Sequence, residues 1–360
     1  MDLSSFHDRD AVQRAAKLLL RKAPRRQLTF LHVCGTHENT IARYGLRSLL
    51  PDSVRIVAGP GCPVCVTSTC EIDSMVEVAQ DHARVFTYGD MFSVPGSGRS
   101  LRDARADGAD VQVVYSLADA ISIARKSPKP SAFFSIGFET TAPLAATTVL
   151  AGVPPDFYFQ ISHRLIPPAM RALLDAGEIR IDGLLCPGHV STIIGAEPYE
   201  PFAREYGIPI AIAGFEPLDV MLALIDLIDQ VDSGKPRVFN EYSRAVRWTG
   251  NRKAQRMIER VFETCDSEWR GLGTLPESGL RLRDEHRDLD VRNRFDLKPR
   301  EPAPMPPGCR CADVLLGSAD PSDCPLFGDR CTPPTPVGPC MVSSEGTCRI
   351  WYTYGGRGRG

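Results

Sequence analysis

The stretch Gly59-Pro60-Gly61-Cys62-Pro63-Val64-Cys65 follows directly on the apolar run Ser53 to Ala58, and its reading decides the fold. A short apolar run ending in a glycine-proline turn is a buried strand whose carboxyl end opens into a tight loop. Two glycines and two prolines leave that loop few conformations and hold a Cys-Pro-Val-Cys pair at the strand end. The C-x-x-C spacing lets both sulfurs meet each other or one metal, and free backbone N–H groups in such a turn draw a thiol toward the reactive thiolate. The competing reading is half of a structural zinc site, which needs a second thiol or imidazole pair. No second C-x-x-C exists in the chain.

Upstream, Gln27 to Val33 is another apolar run, ending in Cys34-Gly35-Thr36-His37-Glu38 before a helical pattern through Ile41, Tyr44, Leu46 and Leu49. Downstream come a helix through Ile72 to His82, a strand from Ala83 to Tyr88 and a glycine-rich loop. A helix from Leu101 to Ala106, a strand from Val111 to Tyr115 and a helix from Ala118 to Arg125 follow. Strands alternating with helical patterns predict parallel βα units. After the linker Ser127-Pro128-Lys129-Pro130 the pattern repeats, with strands at Ala132 to Ile136, Phe157 to Ile161, Leu184 to Cys186 and Ile208 to Ala213. Gly137-Phe138-Glu139-Thr140-Thr141 opens a helix much as Gly35 to Thr40 does. The expected fold is α/β: two related four-stranded parallel domains, 24–129 and 130–234, facing a cleft. A mostly helical or irregular C-terminal iron–sulfur domain, 235–360, completes it, with a helix in 1–23 packing on that domain.

In parallel sheets, ligands collect outside the carboxyl ends of the strands, where loops and helix N-termini converge. Cys34, His37, Cys62, Cys65, Glu139 and His189 all lie on such loops, so one cleft between facing halves is expected to receive all six. Cys34 directly precedes a helix, where backbone N–H groups and the helix dipole favour its thiolate. Taken singly, His189 reads also as a helix cap and Glu139 as the partner of a surface arginine.

Composition narrows the classes of function. The chain has 360 residues, 43% hydrophobic and 24% charged, with a net charge of −2. A near-neutral balance leaves no electrostatic footprint for nucleic acid. No run is apolar and long enough to span a membrane, and Met1 to Lys22 carries Asp8, Arg9, Asp10 and Arg14 as an amphipathic helix, not a signal peptide. Twelve cysteines in a large chain without an export signal predict a reducing cytoplasmic setting, where clustered cysteines mean metal or redox work. The tail Gly355 to Gly360, with Arg357 and Arg359, reads as disordered.

Beyond Ser233 the pattern changes to charged helices around Tyr242 to Cys265 and then to proline-rich chain. Cys70 and Cys265 fall in helical patterns, where a buried inert thiol is expected. Six cysteines follow, at Cys309, Cys311, Cys324, Cys331, Cys340 and Cys348. A cubane iron–sulfur cluster needs four of them and leaves two over. Zinc is the competing reading, but structural zinc sites favour pairs spaced two to four residues apart.

With these residues in view, the chain resembles the hydrogenase maturation protein family HypD. The resemblance covers nearly the full length through CGTHE (Cys34 to Glu38), GPGCPVC (Gly59 to Cys65), GFETTAP (Gly137 to Pro143), PGHVS (Pro187 to Ser191) and PVGPCMVSSEGTC (Pro336 to Cys348). Val66-Thr67-Ser68 departs from the family, which usually has a proline after the threonine, and the loop Ser93 to Ser100 is a loose match. The resemblance implies assembly of the Fe(CN)2CO group of [NiFe]-hydrogenases, Fe(II) carrying cyanide and CO, on a complex with the small chaperone HypC. HypE would deliver cyanide from a thiocyanate-bearing C-terminus, and the hydrogenase large subunit would be served indirectly. It implies Cys34 as the iron ligand with His37 near the metal, and the Cys62 and Cys65 pair as a redox dithiol. A further likeness of the third domain to ferredoxin-thioredoxin reductase implies a [4Fe-4S] cluster on Cys309, Cys324, Cys331 and Cys340, with Cys311 and Cys348 as a redox disulfide. Which of Cys309 and Cys311 binds iron does not follow from the sequence. Two other classes stay open: a thiol-disulfide oxidoreductase resembling that reductase, and a zinc-stapled scaffold.

Overall fold

The structure is a computed structural model that describes residues 8–177 and 180–355; the expected N-terminal helix before Asp8 and the tail with Arg357 and Arg359 lie outside the described residues. Its strands are β1 (Leu28–His32), β2 (Val54–Ala58), β3 (Arg84–Thr87), β4 (Val111–Val113), β5 (Ser131–Gly137) and β6 (Phe157–His163). They continue with β7 (Gly183–Pro187), β8 (Ile210–Ala213), β9 (Val238–Asn240), β10 (Phe262–Trp269) and β11 (Gly273–Leu282). Each strand expected from the sequence forms within a few residues of its reading. Every residue of β5 and β6 is buried, as a parallel sheet covered on both faces requires.

Two parallel sheets result, as expected for the α/β class. One has five strands in the order β2-β1-β7-β8-β9, the other four in the order β4-β3-β5-β6. Their membership cuts across the expected boundary between residues 129 and 130. The chain builds β1 and β2, crosses to the second sheet for β3 to β6, and returns, so that Phe30 of β1 pairs with Gly183 of β7. Parallel neighbours are joined through helices, and strands of equal apolarity carry no mark of which neighbour they choose. The Cys-Pro-Val-Cys turn stands where the chain first leaves one sheet for the other.

Packing places the terminal elements differently from expectation too. The helix Arg9–Arg21 buries Val12, Ala15, Ala16 and Leu19 in one core with the helix Pro217–Ser233, not on the C-terminal region, and Lys22 pairs with Asp229 there. The expected helical run through Cys265 ends at Val261. Beyond it the chain forms the antiparallel hairpin β10–β11, whose cross-strand partners override a weak helical pattern. Cys265 on β10 and Cys70 in the helix Thr69–Glu77 are both only half-buried, so neither is the inert core thiol expected.

Candidate functional site

Two strand ends are zipped together to make the site. Cys34 has extended backbone and is the residue before the helix Gly35–Arg43, whose Glu38 N–H bonds the Cys34 carbonyl at 3.2 Å. The Gly35 N–H donates to Gly61 O at 3.1 Å, and the Gly59 N–H to His32 O at 2.7 Å. A Cβ on Gly61 would lie 2.1 Å from the Cys34 nitrogen, so only glycine permits this approach. Just beyond, Cys62 caps the short helix Pro63–Val66, its sulfur accepting the Cys65 N–H at 3.2 Å. A disulfide joins Cys62 to Cys65, with Cα atoms 5.3 Å apart.

The carboxyl ends of both sheets open on a cavity of about 520 Å³. Cys34, Gly61 and His189 line it from the five-stranded sheet, Tyr88 and Phe138 from the other, and Glu345 from the C-terminal region. Of the six expected residues, this cleft therefore receives Cys34 and His189 only. The exposed His189 ring stacks on Phe215 at 3.8 Å, and partial burial lowers its pKa. His37 is wholly buried, with Nε2 on Gly214 O at 3.0 Å and Nδ1 without a partner; burial lowers its pKa to about 3, so the ring is neutral. Glu139 turns away to accept the Ile166 N–H at 2.9 Å, and burial raises it to about 7. Its other oxygen is buried and unpartnered.

Burial also decides Cys34. It pushes the thiol up to about 11, against the pull of the His37 N–H and with a further push from Glu345. The expected thiolate at a helix start is thus not the resting form, because desolvation outweighs the backbone N–H groups.

A second, narrower gap links the sulfurs. Cys34, Cys62, Cys65, Cys340 and Glu345 share its walls. Two anchors that sequence reasoning missed hold the C-terminal region there. Glu38, fully buried, takes His32 Nε2 at 2.7 Å, two bonds from Arg47 at 2.9 and 2.8 Å, and Trp351 Nε1 at 2.7 Å. Burial alone would raise this carboxyl, but Arg47 and His32 bring it down to about 2. Asp90 accepts the hydroxyls of Ser343 and Ser344 at 3.0 and 2.8 Å. The conspicuous signal for the first anchor was Glu38 inside CGTHE; nothing in the sequence marks Trp351 as its partner.

The late cysteines gather beside these anchors. Cys311 and Cys340 stand with sulfurs 2.8 Å apart, a contact that differs from the implied pairing of Cys311 with Cys348. Cys340 lies in the short helix Pro339–Val342, which brings it to the gap near Cys62 and Cys65, an approach the spacing does not reveal. The hydrogen bond with Cys340 draws Cys311 down toward thiolate and Cys340 up. Cys309 is raised to about 12 by burial and by Cys311, with Cys348 and Cys324 also acting on it. Cys331 accepts the Val337 N–H at 3.3 Å. Among the described residues no group of three or more His, Cys, Asp or Glu converges on one metal ion. A four-iron cluster makes a different demand, one thiolate for each iron spread around a cube, and the gathered all-sulfur donor set fits it.

Comparison with known proteins agrees with the residues that carry the resemblance. The family model "HypD: Hydrogenase formation hypA family" matches residues 10–355. The hydrogenase maturation factor HypD of Cupriavidus necator is 46% identical over 367 residues, 98% of this chain and 97% of its own. A putative hydrogenase expression/formation protein of Methanocaldococcus jannaschii is 43% identical over 97% of this chain and 99% of its own. The HypD of Escherichia coli is 42% identical over 91% of this chain and 90% of its own. No helix among the described residues is long and apolar enough to cross a membrane. A family match over nearly the whole length, with relatives covered almost end to end, makes this chain a member of the HypD family of hydrogenase maturation factors.

Proposed function

We propose that this chain holds iron through Cys34, in a cytoplasmic complex with a small HypC chaperone, while cyanide and CO are added to make the Fe(CN)2CO group of [NiFe]-hydrogenases. The observation that carries the reading is the position of Cys34: it opens on the cleft and also shares a narrow gap with Cys62, Cys65 and Cys340. A thiol near pKa 11 binds a metal ion only by giving up its proton, so anchoring through it is weak at neutral pH. Weak anchoring suits a cargo that is handed on to the hydrogenase large subunit. A single protein thiolate and one from HypC leave iron positions free for soft ligands, which a closed four-cysteine site would not. His37, neutral and with Nδ1 free, is the imidazole near the metal.

Cyanide from the thiocyanate terminus of HypE requires electrons. Cleaving R–S–CN with two electrons gives R–S⁻ and CN⁻, and the Cys62 and Cys65 dithiol supplies both electrons as its disulfide closes. Exchange with the Cys311 and Cys340 dithiol then reopens that disulfide and oxidises the second pair, so bonds and electrons balance. The sulfur contact supports Cys311 and Cys340 as this pair, leaving Cys309, Cys324, Cys331 and Cys348 for a [4Fe-4S] cluster. When bound, the cluster supplies single electrons for reducing the pair.

A thiol-disulfide oxidoreductase acting on a protein substrate would use the same chain of sulfurs, but it has no need of Cys34. The decisive experiment is Cys34→Ala purified anaerobically with HypC. The visible absorbance of the cluster should persist while the infrared bands of cyanide and CO vanish. Bands of full intensity in that variant would remove Cys34 as the iron ligand.

A further inference from the structure

Behind His37, on the far side of Gly214, lies a buried ionic knot. Asp219, in the first turn of the helix Pro217–Ser233, is fully buried, and its Oδ2 accepts the Glu216 N–H at 3.2 Å and the Arg244 guanidinium. Its Oδ1 is buried too and, among the described residues, has no donor. Glu241, the residue after β9, brings a second buried carboxyl: Oε2 accepts the Gly214 N–H at 3.3 Å, and Oε1 is 3.8 Å from Arg244. Both carboxyls share that one guanidinium, which lies over the Tyr242 ring at 4.4 Å.

Two carboxylates against one cation leave a net negative charge out of water, where the neutral acid is favoured. A proton on Glu241 removes that charge. It also gives Asp219 Oδ1 the donor it lacks, joining the two carboxyls by a hydrogen bond. Burial, and after it the Asp219 charge, push Glu241 up to about 7, against the pull of the Gly214 N–H and Arg244. The charged and titratable groups around Glu241 are thus Asp219 from the helix, with Arg244 and Tyr242 from its own loop. Beyond Gly214, His37 and His189 stack on opposite neighbours of the Phe215 ring, and burial keeps both low.

The knot grips the turn that orients His37. A Cβ on Gly214 would lie 2.0 Å from Asp219 Oδ2, so the backbone runs directly over the carboxylate. The Gly214 N–H goes to Glu241, while its carbonyl meets His37 Nε2 at 3.0 Å and the Ala213 carbonyl does so at 3.3 Å. Carbonyls only accept, so Nε2 carries the ring proton and Nδ1 keeps the lone pair.

We propose that the proton shared by Glu241 and Asp219 positions His37: it holds the Gly214 peptide in place and thereby fixes the ring as the Nε2–H tautomer with Nδ1 as a free acceptor. Loss of this proton to solvent sets two buried carboxylates against each other and loosens the Gly214 turn. That the lone pair serves iron rests on the function proposed above; the tautomer and its dependence on Glu241 do not.

The test uses the full chain without iron, labelled in its histidine nitrogens, whose NMR shifts distinguish the two tautomers. His37→Gln identifies the His37 signals by their loss. Glu241→Gln keeps an acceptor for the Gly214 N–H and replaces the shared proton by a permanent N–H donor to Asp219. In wild type, His37 should be the Nε2–H form at about pH 5 and lose that single form by about pH 8, whereas E241Q should keep it at both. The folded-state value of Glu241 is raised above the ordinary 4.5, so its contribution to stability is full below 4.5 and is lost as pH rises through about 7. From about pH 5 to about pH 8 the folding constant of E241Q should therefore gain on wild type by on the order of tenfold to a hundredfold, a ratio from which the other titrating groups cancel. Asp219→Asn, which removes the like charge, should change in the same direction. A wild-type tautomer indifferent to pH, or a ratio of folding constants that stays flat, would overturn the proposal. Failure of E241Q to fold would overturn it as well, because glutamine repeats every hydrogen bond assigned to the protonated acid. Loss of iron binding with the His37 signals as expected would remove the iron reading alone.

Discussion

Cys34 and the late cysteines are sulfur sites built in opposite ways. Cys34 sits where β1 and β2 end, and most of what fixes it is backbone: the Gly61 carbonyl, the Glu38 N–H and the glycine that lets the two loops touch, with the Thr36 side chain hydrogen-bonding the thiol. The late cysteines sit on loops and short helices such as Pro339–Val342, tied to the rest by side chains, Trp351 to Glu38 and the serines to Asp90. On the proposed function, Cys34 would load and release iron repeatedly and could not rely on that cargo for its shape, which the sheet gives it, whereas a resident cluster on the late cysteines would supply much of the order there.

That contrast can be broken by changing glycines. Gly61→Ala should have the largest effect, roughly 3 kcal/mol of stability with loss of iron loading, because its Cβ would lie 2.1 Å from the Cys34 nitrogen. Gly328→Ala, at φ +77° but with open space around it, should cost only about 1 kcal/mol. Urea denaturation of the pair measures the difference; equal costs would erase the distinction between the sites.

Glu38→Gln comes next, at about 3 kcal/mol, since Arg47 and His32 lose a buried partner. Glu38 in the folded chain is depressed to about 2 from an ordinary carboxylate value of 4.5. Its contribution is therefore present in full above the ordinary value and is lost as pH falls toward 2. Acid unfolding of E38Q should lack that part of the slope. Iron removal follows: hydrogen exchange in 309–348 should speed up by on the order of tenfold to a hundredfold, whereas β1 and β2 keep their protection. Uniform loss across both regions would contradict the contrast. The smallest effect is expected of Trp351→Phe, which keeps the ring near Arg47 and loses one hydrogen bond, about 1 kcal/mol by thermal unfolding.

The strands and the two cysteine turns were legible because local chemistry dictates them: apolar runs of strand length, and glycines where loops must touch. Sheet membership was not. Nothing in Leu28–His32 distinguishes Leu184 as a neighbour from any other buried aliphatic. The cleft was legible as a place, but its contents were not. Glu139 follows β5 on the expected turn and His37 lies in the first turn of the helix Gly35–Arg43, yet both turn their polar atoms away, to Ile166 and Gly214, because one residue of rotation at a strand end decides which side faces the opening. The thiolate expected of Cys34 failed for a related reason, since a sequence reveals the helix start but not how completely the sulfur is desolvated. The contact of Cys340 with Cys311 could not be read from spacing, because the helix that carries Cys340 is oriented by contacts made far away in the chain.

The order in which the sheets are threaded bears on synthesis. Phe30 waits for Gly183 before β1 has its inner neighbour, and β8 and β9 must follow before that sheet is complete. On the ribosome, Cys34, Cys62 and Cys65 emerge early and remain without their shelter until most of the chain is made. Non-local parallel pairing of this kind is slow to form. Nascent chains arrested before β7 should therefore react quickly with alkylating agents at Cys34, and chains arrested after β9 slowly, which marks the span of synthesis when these thiols are open to oxidation or stray metal.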